Sequence, residues 1–147
     1  MQSSNPRFLE LLRVLTLQRV DFIVVGGVSA VLHGAPVTTF DLDVVHARDP
    51  ENVARLLSAL DELEAVYRAP GHPLPTKFGP LDVLGMIGKS RPWEDLNNYT
   101  RAMEIEPGVI VRALDLEILI AVKAELGFPK DVAMLPVLRQ AFKEQSS

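Results

Sequence analysis

The chain has 147 residues, enough for one domain (residues 1–147) that buries most of its apolar surface, and 48% of them are hydrophobic against 23% charged. A net charge of −4 argues against a broad, sequence-independent grip on nucleic acid, and the lack of cysteine excludes disulfides and thiolate zinc sites. The opening MQSSNPRF carries no basic-then-apolar signal and no apolar run is long enough to span a bilayer, so a cytoplasmic protein with no membrane partner is expected.

Asn5-Pro6 reads as a helix start, and Phe8, Leu9, Leu11, Leu12 and Leu15 follow at helical spacing to about Gln18. Val20–Val25 is a short apolar run that predicts a buried strand. Gly26-Gly27 permits a sharp turn into a short helix, Val28–His33, stopped by Gly34 and Pro36. Phe40–His46 predicts a strand carrying aspartates at i and i+2. Strand side chains alternate faces, so Asp41 and Asp43 share one face while Leu42 and Val44 point to the core.

Asp49-Pro50 starts a second helix with Val53, Leu56, Leu57 and Leu60 on one stripe. Glu64–Arg68 predicts a short strand, residues 69–80 a loop rich in proline and glycine, and Leu81–Ile87 a further strand that is apolar except for Asp82. Arg91–Thr100 reads as irregular or briefly helical. Arg101–Glu106 and Val109–Ala113, split by Pro107-Gly108, predict a hairpin. A helix from about Asp115 to Leu126 is closed by Gly127, and Pro129-Lys130-Asp131 opens a last one to about Lys143. Strands alternating with helices early and helices closing the chain indicate an α/β or α+β fold with a mixed sheet.

Paired carboxylates hold hard cations such as Mg²⁺ through oxygen ligands, commonly together with substrate phosphates. Asp41 and Asp43, set beside a glycine turn that opens a helix, suit that chemistry, with Gly26, Gly27 and the Ser29 hydroxyl placed to contact a phosphate. Asp82, the lone acid of an apolar strand, is the candidate third carboxylate. Each part has a plainer reading: a solvated edge strand for the pair, a partner to a nearby cation for Asp82, and a helix cap for Ser29. His33, His46 and His72 are scattered and compose no Ser-His-Asp arrangement, and Trp93 and Tyr99 suit core plugs better than base stacking.

The pattern GGVSA, a spacer, TFDLD and then an isolated LDVL strand resembles the DNA polymerase beta-like nucleotidyltransferase superfamily, and within it the small bacterial nucleotidyltransferase-like proteins that include the AbiEii-type toxins. The resemblance spans about residues 21–138. It implies a minimal nucleotidyltransferase fold, a mixed sheet flanked by helices with a C-terminal helical pair. It further implies a two-metal Mg²⁺ site on Asp41, Asp43 and Asp82, an NTP as substrate, and Gly26, Gly27 and Ser29 as the phosphate turn.

The run DLEILIAVKAELGFPKDVAML is similar to the superfamily's closing helix, which implies that Lys123, Lys130 and Asp131 face the nucleotide, although each also suits a solvated helix or a helix start. Departures from the pattern are Pro36-Val37-Thr38-Thr39 where relatives often carry arginine, Phe128 where many carry arginine, and Met134 where another aspartate is common. The expected activity is transfer of a nucleoside monophosphate to an acceptor hydroxyl on a protein, an RNA or a small molecule. The alternative is a degenerate binding module, or one member of a toxin–antitoxin pair that works with a partner protein.

Overall fold

A computed structural model describes residues 7–146. In chain order the elements are α1 (Phe8–Leu17), β1 (Phe22–Val25), α2 (Gly26–Leu32), β2 (Leu42–His46), α3 (Pro50–Glu62), β3 (Leu81–Leu84), β4 (Met86–Ile87) and β5 (Arg91–Pro92). They continue with α4 (Trp93–Leu96), β6 (Thr100–Glu106), β7 (Val109–Leu114), α5 (Leu116–Leu126) and α6 (Pro129–Gln145). The mixed sheet expected from the sequence is present, with strand order β3-β2-β1-β7-β6. β2 with β3 and β1 with β7 are parallel, whereas β1 with β2 and β6 with β7 are antiparallel.

Alternation along the strands sorts side chains into two cores. Val24, Leu42, Val44 and Leu81 face Leu11 and Leu15 of α1 and Leu56 and Leu60 of α3. On the other side Ile23, Val25 and Val45 face Leu116 and Leu119 of α5 and Leu138 of α6. Asp43 and Asp82 belong by alternation to this second face, at the end of the sheet where β2 and β3 begin. Burying both faces is what holds the layers together, at roughly 1.5–3 kcal/mol for each large apolar side chain removed from water.

Asn52, fully buried at the start of α3, sets the β1–β2 register. Its amide nitrogen donates to the carbonyls of Asp21 (3.0 Å) and Ala47 (2.8 Å), and its oxygen accepts from the Asp21 N–H at 2.7 Å. The start of β1 is thereby tied to the end of β2, in the register that sets Val25 opposite Asp43.

Several boundaries differ from the sequence reading. The helix start at Asn5-Pro6 lies outside the described residues. Gly26-Gly27 forms the first residues of α2 instead of a separate turn. β2 begins at Leu42, leaving Asp41 just before the strand and Phe40 exposed. Glu64–Arg68 is not a strand, because α3 ends in a left-handed turn at Glu64 (φ 55°) in which the Ala65 N–H donates to Leu60 O at 3.0 Å. From there the chain enters the 69–80 loop, and Val66 N–H bonds Pro75 O at 2.9 Å. Leu81–Ile87 is two strands broken at Gly85, with β4 turning back to pair with β5. Among the described residues no helix is long and apolar enough to cross a membrane.

Candidate active site

The register of three strands assembles the acids. Asp43 lies opposite Val25 of β1 on one side and Asp82 of β3 on the other, while Asp41 sits one step before β2. One carboxylate oxygen from each of Asp41, Asp43 and Asp82 can be chosen so that all lie within 4.8 Å of one another. Like charges this close are costly without a counter-ion. Burial, followed by the charges of Asp41 and Asp82, pushes the Asp43 carboxyl up to about 7. Burial and Asp41 also raise Asp82. Asp43 Oδ1 is buried and has no hydrogen-bond partner. A buried acceptor without a donor, in a cluster of hard oxygen ligands, fits a divalent cation such as Mg²⁺.

The glycines make this packing possible. Gly26 adopts φ +67°, and a Cβ there would sit 2.4 Å from Asp43 Oδ2. A Cβ on Gly27 would sit 2.6 Å from Thr39 Oγ1, so the loop before the acids can cross α2 only where that side chain is missing. Gly26→Ala adds a left-handed strain to a clash with Asp43, and is expected to cost about 3 kcal/mol of stability. An unchanged urea midpoint for Gly26→Ala would show that the close approach is dispensable.

Above the acids lies a cleft of about 390 Å³. Asp41, Asp43 and Asp82 form its floor, and Gly27, Lys123 and Lys130 also line it. Lys123 Nζ, from α5, donates to Asp131 Oδ1 on α6 at 3.1 Å. The Asp131 side chain is 5% exposed and that of Lys123 18%, so the pair fixes where the ammonium sits at the cleft wall.

Ser29 is placed differently from the reading that gave it a phosphate contact. It is fully buried, and its hydroxyl donates to Leu114 O at 2.8 Å. His33 Nε2 meets the same carbonyl at 2.9 Å, and Gln145 Nε2 reaches His33 Nδ1 at 2.9 Å. Burial holds the imidazole pKa down, consistent with a neutral ring that accepts from Gln145 and donates to Leu114. Ser29 and His33 thus pin α2 to β7 and α6.

Neither a protein-family profile nor a curated protein matches the sequence. Solved structures do match in three dimensions. The lincosamide antibiotic adenylyltransferase LnuA, with lincomycin bound, superposes with a TM-score of 0.63 at 11% identity, over 91% of this chain and 95% of that one. The chain has the nucleotidyltransferase fold. A Thermotoga maritima protein assigned as a nucleotidyltransferase matches with a TM-score of 0.58 at 20% identity, over 93% of this chain and 91% of that one. ANT(2'')-Ia in complex with adenylyl-2''-tobramycin matches with a TM-score of 0.59 at 15% identity, over 95% of this chain and 97% of that one.

Within the nucleotidyltransferase fold, two of the three departures noted in the sequence reach the cleft. Thr38 and Thr39 line it from the 36–39 stretch where the resemblance anticipates arginine, and Met134 lines it where another aspartate is common. The two threonines were legible only as neighbours of the acid pair. Phe128 is 57% exposed at the start of α6.

Proposed function

We propose that the protein is a Mg²⁺-dependent nucleotidyltransferase, acting as one domain over residues 1–147. It moves a nucleoside monophosphate from an NTP to an acceptor hydroxyl and releases pyrophosphate. The observation that carries this reading is the convergence of Asp41, Asp43 and Asp82 on one point, with a buried Asp43 oxygen that no protein group satisfies. The likeness to adenylyltransferases supports ATP as the nucleotide.

In the reaction the acceptor oxygen bonds to the α-phosphorus, the bond from that phosphorus to the bridging oxygen breaks, and pyrophosphate leaves with that oxygen. The acceptor proton passes to a carboxylate. The three carboxylates gathered at this point, Asp82 among them, are the groups placed to take it. Asp41, Asp43 and Asp82 would hold Mg²⁺, which supplies charge neutralisation at the transferring phosphate. Lys123 and Lys130 set two positive charges at the cleft wall for the phosphate oxygens, beside Gly27. Positioning and charge therefore do most of the work.

The test is calorimetric titration of each NTP, with and without Mg²⁺, into wild type and the Asp41→Asn/Asp43→Asn variant. Metal-dependent binding lost in the variant is expected, and no binding of any NTP to wild type would remove the proposal. Asp131→Asn is a finer test. It takes the charge from the partner of Lys123 and is expected to weaken NTP binding roughly tenfold with the fold retained. Unchanged affinity would mean that Lys123 does not meet phosphate.

A second reading, one member of a toxin–antitoxin pair with a partner protein, draws support from the exposure of Phe40 (71%), Phe128 (57%) and Val132 (49%). Phe40 lines the cleft, and the other two flank the segment that carries Lys130.

A further inference from the structure

A second cavity opens beside the acids, between the sheet and α5. Leu84, Met86, Ile87, Leu119, Val122 and Leu126 line it, and it meets the first cleft at Asp43 and Lys123. Its volume is about 260 Å³, suited to a small molecule or one arm of a larger one. Apart from Asp43 and Lys123, every side chain on its wall is apolar.

The short β4–β5 hairpin makes the outer wall and is clamped there. The Glu125 carboxylate accepts from the Lys89 N–H and from the Arg91 guanidinium, both at 2.9 Å. Gly88 sits beneath the clamp at φ +62°, where a Cβ would lie 2.8 Å from Glu125 Oε1. The hairpin is therefore held against α5, with Ile87 packed on the second core and Met86 left largely in solvent. The arrangement leaves Met86 44% and Leu126 39% exposed at the mouth. Apolar surface kept in water beside a charged site is a cost that a ligand of matching character would recover.

We propose that this cavity is the acceptor pocket, and that the acceptor is a small molecule with a hydroxyl and an apolar body, bound by this chain alone. The inference rests on the nucleotidyltransferase reading above. An in-line displacement needs the entering and leaving oxygens on opposite sides of the phosphorus. Two cavities that meet at Asp43 provide two sides. The lysines, the three acids and the threonines of the first cleft suit a triphosphate, and Phe40 there offers a flat apolar surface to a base. The second cavity lacks the polar side chains that would match the donors and acceptors on a nucleobase edge. Its acceptor hydroxyl would sit at the Asp43 end, and its apolar body would lie along Leu84, Met86 and Leu126.

Hexyl β-glucopyranoside and methyl β-glucopyranoside are suitable probes, with the same sugar hydroxyls and different apolar bodies. Each is titrated, below micellar concentrations, into protein carrying ¹³C-methyl methionine and leucine, with and without ATP and Mg²⁺. The expected result is saturable shifts of the Met86 and Leu126 methyls, at least tenfold tighter for the hexyl compound and not displaced by ATP. Met86→Lys is expected to weaken hexyl glucoside tenfold while leaving the calorimetric ATP affinity within twofold, as is Leu126→Lys. No saturable shift at those methyls overturns the pocket, whether or not ATP binds. Displacement by ATP overturns it in favour of a base site. If the hexyl compound binds but no NTP does, the cavity is a ligand site without the transfer role. That outcome overturns the acceptor assignment through the failure of the enzyme reading, not of the pocket.

Discussion

Asp43→Asn is expected to abolish Mg²⁺-dependent NTP binding, and to lower transfer by on the order of 10³-fold, while making the metal-free protein harder to unfold. The two effects share one cause. Asp43 is half-buried between Asp41 and Asp82, and its buried Oδ1 has no donor. In the metal-free protein its charge is a liability, and asparagine removes that charge at nearly constant volume. A carboxyl raised from 3.8 to about 7 corresponds to at most about 4 kcal/mol of lost stability, and partial solvent access reduces this to about 2. For a chain of this length that is a rise of roughly 6 °C in Tm at pH 8 in EDTA. Calorimetry in EDTA checks the gain, and a pyrophosphate-release assay checks the loss. A variant that unfolds earlier than wild type would mean that Asp43 is held by contacts absent from this account.

The metal-free protein is also expected to lose stability with rising pH, relative to Asp43→Asn, between about pH 4 and pH 7. The folded Asp43 keeps its proton to about 7, whereas the unfolded chain releases it near 3.8. Across that window the folded state binds more protons, so stability falls as pH rises. Asp82 shifts in the same direction and adds to the slope of both proteins alike. His33 acts with the opposite sign: burial lowers its pKa, so its contribution to stability weakens as pH falls through the ordinary histidine range. The difference between wild type and Asp43→Asn cancels His33 and isolates the carboxyl. Mg²⁺ at pH 8 is expected to recover most of the difference in wild type and little in the variant. Melting curves at pH 5, 6, 7 and 8 that run parallel for the two proteins would sink this account.

Much of this was legible from local patterns. Period-two alternation set Asp41 and Asp43 against Leu42 and Val44, and a single acid in the apolar run at Leu81–Leu84 marked Asp82 as the odd residue; the strands bring all three together. What stayed hidden depended on partners far along the chain. Ser29 looked like a phosphate ligand because its bond to Leu114 closes only when β7 pairs beside β1. The glycine at 26 looked like a turn residue, but its crowding neighbour is Asp43 itself. Gly85 breaks an apolar run that reads as one strand, and so hides the β4–β5 hairpin and its clamp on Glu125. Glu64 takes a left-handed conformation usual for glycine, which ends α3 and removes the strand expected there.

The pairing of Val24 with Ala113 sets an order on the assembly of the site. During synthesis the three acids are made before β7, and before the two helices that carry Lys123, Lys130 and Asp131. β1 and β2 can close as neighbours while the chain is still growing, but the acids acquire their cationic wall only with the last quarter of the sequence. A nascent chain ended before α5 would carry the acid cluster bare. In such a fragment the face that carries Asp43 would lack both the lysines of the cleft wall and the helices that cover its core.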